Sequence, residues 1–212
     1  MLDFELSPEL QELQIRAQKV AAEGVADYGM HTDSWINGYS KEFSKRLAEE
    51  GWIGMTWPVE YGGGGQSNLA RIIMGEAMIS AGAPIAASWF ADRQMGPALF
   101  TYGTEDQQAE FLPGMLSGET TWCIGMSEPD AGSDLAGLKT SAVRDGDVFV
   151  VNGQKIWTSF AADADYCYLI GRTSSDGPPH KGVSELIVPM DLPGIEVRPV
   201  SYTHLTLPTI AK

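Results

Sequence analysis

The sequence is poor in thiols, imidazoles and positive charge. Its two cysteines, Cys123 and Cys167, form neither a CxxC pair nor any zinc spacing, which excludes a disulfide framework and a thiolate metal centre. Cys167 alternates with tyrosines in "DYCYLI" and reads as a buried strand residue. Three histidines, His31, His180 and His204, stand far apart among polar or loop residues, where solvated side chains are the simpler reading than metal ligands. Lys+Arg number 14 against 28 Asp+Glu, giving a net charge of -14 and a pI of about 4.5. That excludes the basic face of a nucleic-acid binder. It leaves room for an anionic cofactor held by backbone amides. No apolar run approaches the ~18 residues of a membrane span. The acidic, amphipathic start "MLDFELSPELQEL" lacks a basic or apolar leader. A soluble cytoplasmic protein is therefore expected.

What is present falls into two halves with different periods. The 212 residues are 43% hydrophobic, enough for one large or two small domains. In "SPELQELQIRAQKVAAEGV", Ser7 is an N-cap and Pro8 the first helical residue, with Leu10, Leu13, Ala17 and Val20 on one face. "YSKEFSKRLAEEGW" repeats the pattern and stops at Gly51. "NLARIIMGEAMISAGA" and "PIAASWFADRQMGPALFTYG" carry two more buried helical segments. Thr104 and Gln107 make a capping box for a helix expected to end at Pro113. From about Thr121 the period becomes two. Asp145-Gly146 and Asn152-Gly153 are hairpin signals, and "DADYCYLIGRT", "GVSELIVPM" and "GIEVRPV" read as strands. Helices followed by strands predict an α+β chain: a helical domain over 1–119, a small antiparallel β-domain over 120–200, and a tail over 201–212.

Some motifs reduce to structure. Gly62 to Gly65 lack a P-loop ending and read as a flexible surface loop. Met55, Met74, Met78 and Met95 read as core filler. "MSEPDAGSD" can be a plain turn, but Ser127 also offers a hydroxyl to a heterocycle, and Gly132 and Ser133 let amides approach a diphosphate. In "GQKIWTSFAADAD", Trp157 can cover a ring system, with Ser159 two residues on and expected on the same strand face.

Together "WPVEYGGGG", "YGTEDQQAEFLPGMLSGE", "SEPDAGSDLAGLKT" and "NGQKIWTS" resemble the acyl-CoA dehydrogenase family, as does "GVSELIVPMDLPGIEVRPV". The resemblance covers nearly all of residues 1–200. Asp130 departs from it, since the family usually has glycine there. The resemblance implies FAD along the β-domain. Ile124, Gly125, Met126 and Ser127 would lie near the isoalloxazine, Gly132 and Ser133 towards the pyrophosphate, and Ser133 also at the acyl-CoA. Trp157, Thr158 and Ser159 would flank the flavin. The implied reaction is α,β-desaturation of an acyl-CoA thioester, with electrons leaving through an electron-transfer flavoprotein, in a homo- or hetero-tetramer.

In the family a C-terminal four-helix bundle follows and holds the catalytic carboxylate. Here the family pattern stops at Val200, and "SYTHLTLPTIAK" reads as foreign to it, as though translated from non-native DNA. The bundle is read as missing, Glu128 and Asp134 as a turn acid and a loop cap, and no catalytic residue is named. A non-catalytic flavin- or acyl-CoA-binding subunit and a related acyl-CoA oxidase are the alternatives.

Overall fold

The computed structural model describes residues 5–202 and 205–211, with side chains described over 5–198; His204 lies outside these. The chain divides into two compact units, residues 1–120 and 121–212.

The helical unit is assembled from well-capped pieces: α1 (Pro8–Tyr28), α2 (Ser34–Asn37), α3 (Lys41–Glu49), α4 (Asn68–Ala81), α5 (Ala86–Phe90), α6 (Gly96–Tyr102) and α7 (Glu105–Leu116). Ser7, Ser40, Ser67 and Thr104 each accept an amide of the first turn, satisfying donors the helix cannot. Ala17 and Val20 of α1 pack with Phe43 and Leu47 of α3 and with Met74 and Met78 of α4. Met55 and Met95 are buried as well. α7 does not stop at Pro113. It continues to Leu116 because the groups beyond still bond back, Ser117 N to Pro113 O at 3.0 Å and Glu119 N to Gly114 O at 3.1 Å.

Two further readings need correction here. Between α5 and α6 the chain makes a π-helical turn, Ala91–Met95. It carries the buried Asp92, whose carboxylate accepts the Gly54 amide at 2.7 Å. The glycine run at 62–65 is not a loose loop. Gly63, Gly64 and Gly65 donate to Pro58 O, Gly54 O and Trp57 O, and a Cβ on Gly63 would lie 2.3 Å from Trp57 O. These glycines allow backbone to lie on backbone.

The β unit holds two sheets. One runs in the order β1 (Trp122–Gly125), β5 (Tyr166–Arg172), β2 (Ser141–Asp145), β3 (Val148–Asn152), with β6 (Val183–Pro189) also on β5. The other is β4 (Lys155–Thr158), β8 (Leu205–Ala211), β7 (Val197–Tyr202). The α+β class holds, but the first sheet is mixed rather than antiparallel. β1 and β5 run parallel, register Cys123↔Cys167, because the hairpin and β4 between them return the chain to its starting end. Residues 205–211, read as outside the family pattern, run alongside β4 and β7.

Of the two hairpin signals only one makes a hairpin. β2 and β3 pair with Asp145 opposite Val148, so the turn is Gly146-Asp147, with Gly146 at φ +60. Asn152-Gly153 instead carries the chain from one sheet to the other. Gly153 is needed for close approach: a Cβ there would sit 2.2 Å from Thr140 Oγ1. Among the described residues no helix is long and apolar enough to cross a membrane, and no cluster of His, Cys, Asp and Glu could hold a metal ion.

Candidate flavin site

β1 delivers Ile124 and Gly125, and the chain then leaves the sheet through Met126 and Ser127. β4 lies beside this exit. The Ile156 amide donates to Ser127 O at 2.9 Å, and the Lys155 ammonium donates to Met126 O at 2.9 Å. This brings the two motifs together, with Ile124, Gly125, Met126 and Ser127 on one side and Trp157, Thr158 and Ser159 on the other. Gly132 and Ser133 stand exposed further along the same loop. The turn between them is closed by Glu128 N to Ala131 O at 2.8 Å and Ala131 N to Glu128 O at 3.2 Å. Asp130 does not disturb it and forms an exposed ion pair with Lys139 at 3.1 Å.

Trp157 and Ser159 do not share a face. Trp157 is half exposed and Ser159 is buried, because Trp157 adopts φ 59, a left-handed conformation that breaks strand alternation. Trp157 and Phe160 are the non-glycine residues with positive φ among those described. A bulky residue held this way costs of order 1–3 kcal/mol and persists where surroundings over-determine it, commonly at ligand sites. Met126 is also exposed.

Glu128, expected to be a turn acid, is instead buried against Lys155, which the sequence did not single out. Glu128 and Lys155 are 6% and 3% exposed and paired at 2.9 Å. The Glu128 carboxylate also accepts the Lys139 amide at 2.7 Å and the Thr140 amide at 2.8 Å. Burial pushes its carboxyl up, but the bonds from Thr140, Lys139 and Lys155 together outweigh burial and bring it down to about 2. Burial lowers the Lys155 ammonium, and Glu128 opposes that fall. The available signal was a lysine at an inward position of a strand, where an unpaired charge is untenable. Asp134, read as a loop cap, makes no side-chain cap bond to the short helical turn it precedes.

Two details fit a bound cofactor. Among the described residues the Thr158 hydroxyl is buried without a partner, which a fold alone disfavours. Among the described residues Gly132 is the one glycine with neither a positive φ nor any atom within 4 Å of a Cβ placed on it. Nothing in the fold asks for glycine there, whereas a closely approaching anion would.

The protein class follows from comparison with known proteins. Residues 7–119 match the family model "Acyl-CoA dehydrogenase, N-terminal domain" and residues 123–206 the model "Acyl-CoA dehydrogenase, middle domain". The chain belongs to the acyl-CoA dehydrogenase family. It is 42% identical over 160 residues to acyl-CoA dehydrogenase IpdE1 of Mycobacterium tuberculosis, covering 76% of this chain and 42% of that one. It is 37% identical over 200 residues to FadE29 of the same organism, covering 93% and 51%. Among solved structures, the Tcur3481-Tcur3483 steroid ACAD superposes with a TM-score of 0.89 at 37% identity, covering 99% of this chain and 55% of that one. The ChsE4-ChsE5 complex of Mycobacterium tuberculosis gives 0.88 at 34%, covering 99% and 54%. The chain thus spans about half the length of the relatives it matches.

Proposed function

We propose that the chain is the cofactor-bearing part of a flavin-dependent acyl-CoA dehydrogenase, and that its β unit holds FAD between the Ile124–Ser127 exit and the Trp157–Ser159 strand. The observation that carries this reading is the meeting of those two segments, fixed by Ile156 N and Lys155 Nζ. FAD bound there would supply the two-electron acceptor for the β-hydride of an acyl-CoA thioester. The chain's own residues orient and shield: Trp157 offers an exposed indole, Ser127 and Ser159 offer hydroxyls, and Gly132 and Ser133 offer an open stretch of backbone. Ser133 is also proposed to meet the acyl-CoA.

Glu128 is not proposed as the base that removes the α-proton. Its lone pairs are committed to two amides and an ammonium, and a carboxyl held at about 2 is a weak base. We therefore name no catalytic residue, and the 212-residue chain alone is proposed to bind without appreciable turnover. That leaves a flavin-binding subunit as the second reading. Two similar structures are named as two-component proteins, which supports assembly with like or unlike subunits. An electron-transfer flavoprotein as electron acceptor and a cytoplasmic site are proposed from family resemblance. The steroid name of one of these structures supports a bulky acyl group. Residues 201–212 are proposed as foreign on their sequence, although the middle-domain match runs to 206.

The test is FAD titration, followed by flavin fluorescence and absorption, with the chain itself and with a relative's C-terminal half joined after Val200. Ser127→Ala and Ser159→Ala should each lose ~0.5–1.5 kcal/mol of FAD affinity. Gly132→Val should lose more while leaving apo-protein melting little changed, because Gly132 is exposed and a Cβ placed on it meets no described atom within 4 Å. Unchanged affinity in all three variants would refute the site.

A further inference from the structure

The Glu128–Lys155 pair is expensive to bury. Two fully desolvated charges often contribute less stability than apolar residues of the same volume. Lys155 lines a cavity together with apolar residues such as Leu169 and Val188, so a methionine there would be unremarkable. What the pair does, and an apolar pair could not do, is direct backbone. Lys155 points its ammonium at Met126 O, and the next residue on β4 takes Ser127 O. Two consecutive carbonyls of the loop are thereby turned towards β4. The Ser127 amide and hydroxyl meet no partner among the described residues. Glu128 gathers the start of β2 onto the same point through the Lys139 and Thr140 amides.

We propose that this buried pair is a positioning device for the cofactor loop. It locks Met126 and Ser127 to the strand that carries Trp157, so that the two faces of the flavin site are set before any ligand arrives. The proposal rests on the flavin reading above. Lys155 and Glu128 act through the loop and do not themselves touch the reacting atoms.

The experiment compares the full chain with Lys155→Met and with the double variant Glu128→Gln/Lys155→Met. Apo melting, FAD titration with flavin absorption, and amide hydrogen exchange over residues 124–133 are measured on each. Lys155→Met leaves a buried carboxylate without its cation and should lower the melting temperature. The double variant removes both charges but offers one acceptor oxygen where Glu128 offers a separate oxygen to each amide, so its melting should recover part of what Lys155→Met loses. A positioning role then shows itself apart from stability. The double variant should bind FAD about tenfold more weakly or worse, with an altered flavin band, and should exchange faster at Met126–Ala131. Wild-type FAD affinity, flavin band and exchange in the double variant would overturn the proposal and leave the pair purely structural. If the wild-type chain takes up no FAD, the flavin reading of this chain fails instead. The exchange comparison then decides whether the pair locks the loop: faster exchange supports it, and equal exchange overturns it.

Discussion

The two units are specified over different distances along the chain. In the helical unit the decisive signals are local. Ser7, Ser67 and Thr104 cap amides three residues away, and Gly82 ends α4 at φ +76. In the β unit the organising contacts span the sequence. Glu128 reaches Lys155 across 27 positions, and the Thr121 amide donates to the Asp165 carboxylate across 44. Local signals fix where elements begin, and distant ones fix where a site forms. A single substitution should therefore do most damage where one side chain collects several distant segments.

Glu128→Leu is the sharpest way to break this contrast. It strands the Lys155 charge and two buried amides, and should cost about 3–5 kcal/mol, read from urea unfolding. A loss below about 1 kcal/mol would show that the β unit does not depend on this node. Acid should separate the units next. The Glu128 carboxyl lies below its ordinary value, so the stability it contributes is full above about 4.5 and is lost as pH falls towards 2. Asp92 in the helical unit is raised, chiefly by burial, so folding favours its protonated form and acidification adds to that unit's stability. Melting followed between pH 5 and pH 2.5 should show the β unit failing first.

Gly96→Ala tests whether the helical unit is as local as its caps suggest. Helix propensity favours alanine by about 1 kcal/mol, but the new Cβ would lie 2.0 Å from the buried Trp57 ring. Overpacking should win, with a net loss of about 1–3 kcal/mol; a stabilised variant would put local preference ahead of packing. Thr104→Ala removes the capping box of α7 and should cost about 1 kcal/mol by thermal melting. Lys139→Ala removes an ion pair whose partners are both 76% exposed. No measurable change in stability is expected, because solvent screens such a pair.

The same contrast explains what the sequence revealed. Caps, the buried methionines, the Gly146 turn and the order of helices before strands were legible because each depends on a few neighbouring residues. The two site segments were legible as motifs, and their meeting followed from resemblance. The opposite faces of Trp157 and Ser159 were not, since a left-handed φ at tryptophan leaves no mark in residue type. Nor was the role of Gly153, which reads as a hairpin glycine but makes room for Thr140. The π-turn at Ala91–Met95 left no local mark either, and the Asp92 it carries meets the Gly54 amide across 38 positions.

The opposed thiols of Cys123 and Cys167 have one more consequence. Both cysteines of the chain lie in the β unit, side by side in the register of β1 and β5, and both are buried. The helical unit has none. A small alkylating reagent applied in brief pulses would therefore time the opening of one unit alone, without any engineered label. Because the two sulfurs sit on neighbouring strands, one or two added masses per molecule would distinguish fraying of a single strand from release of the sheet.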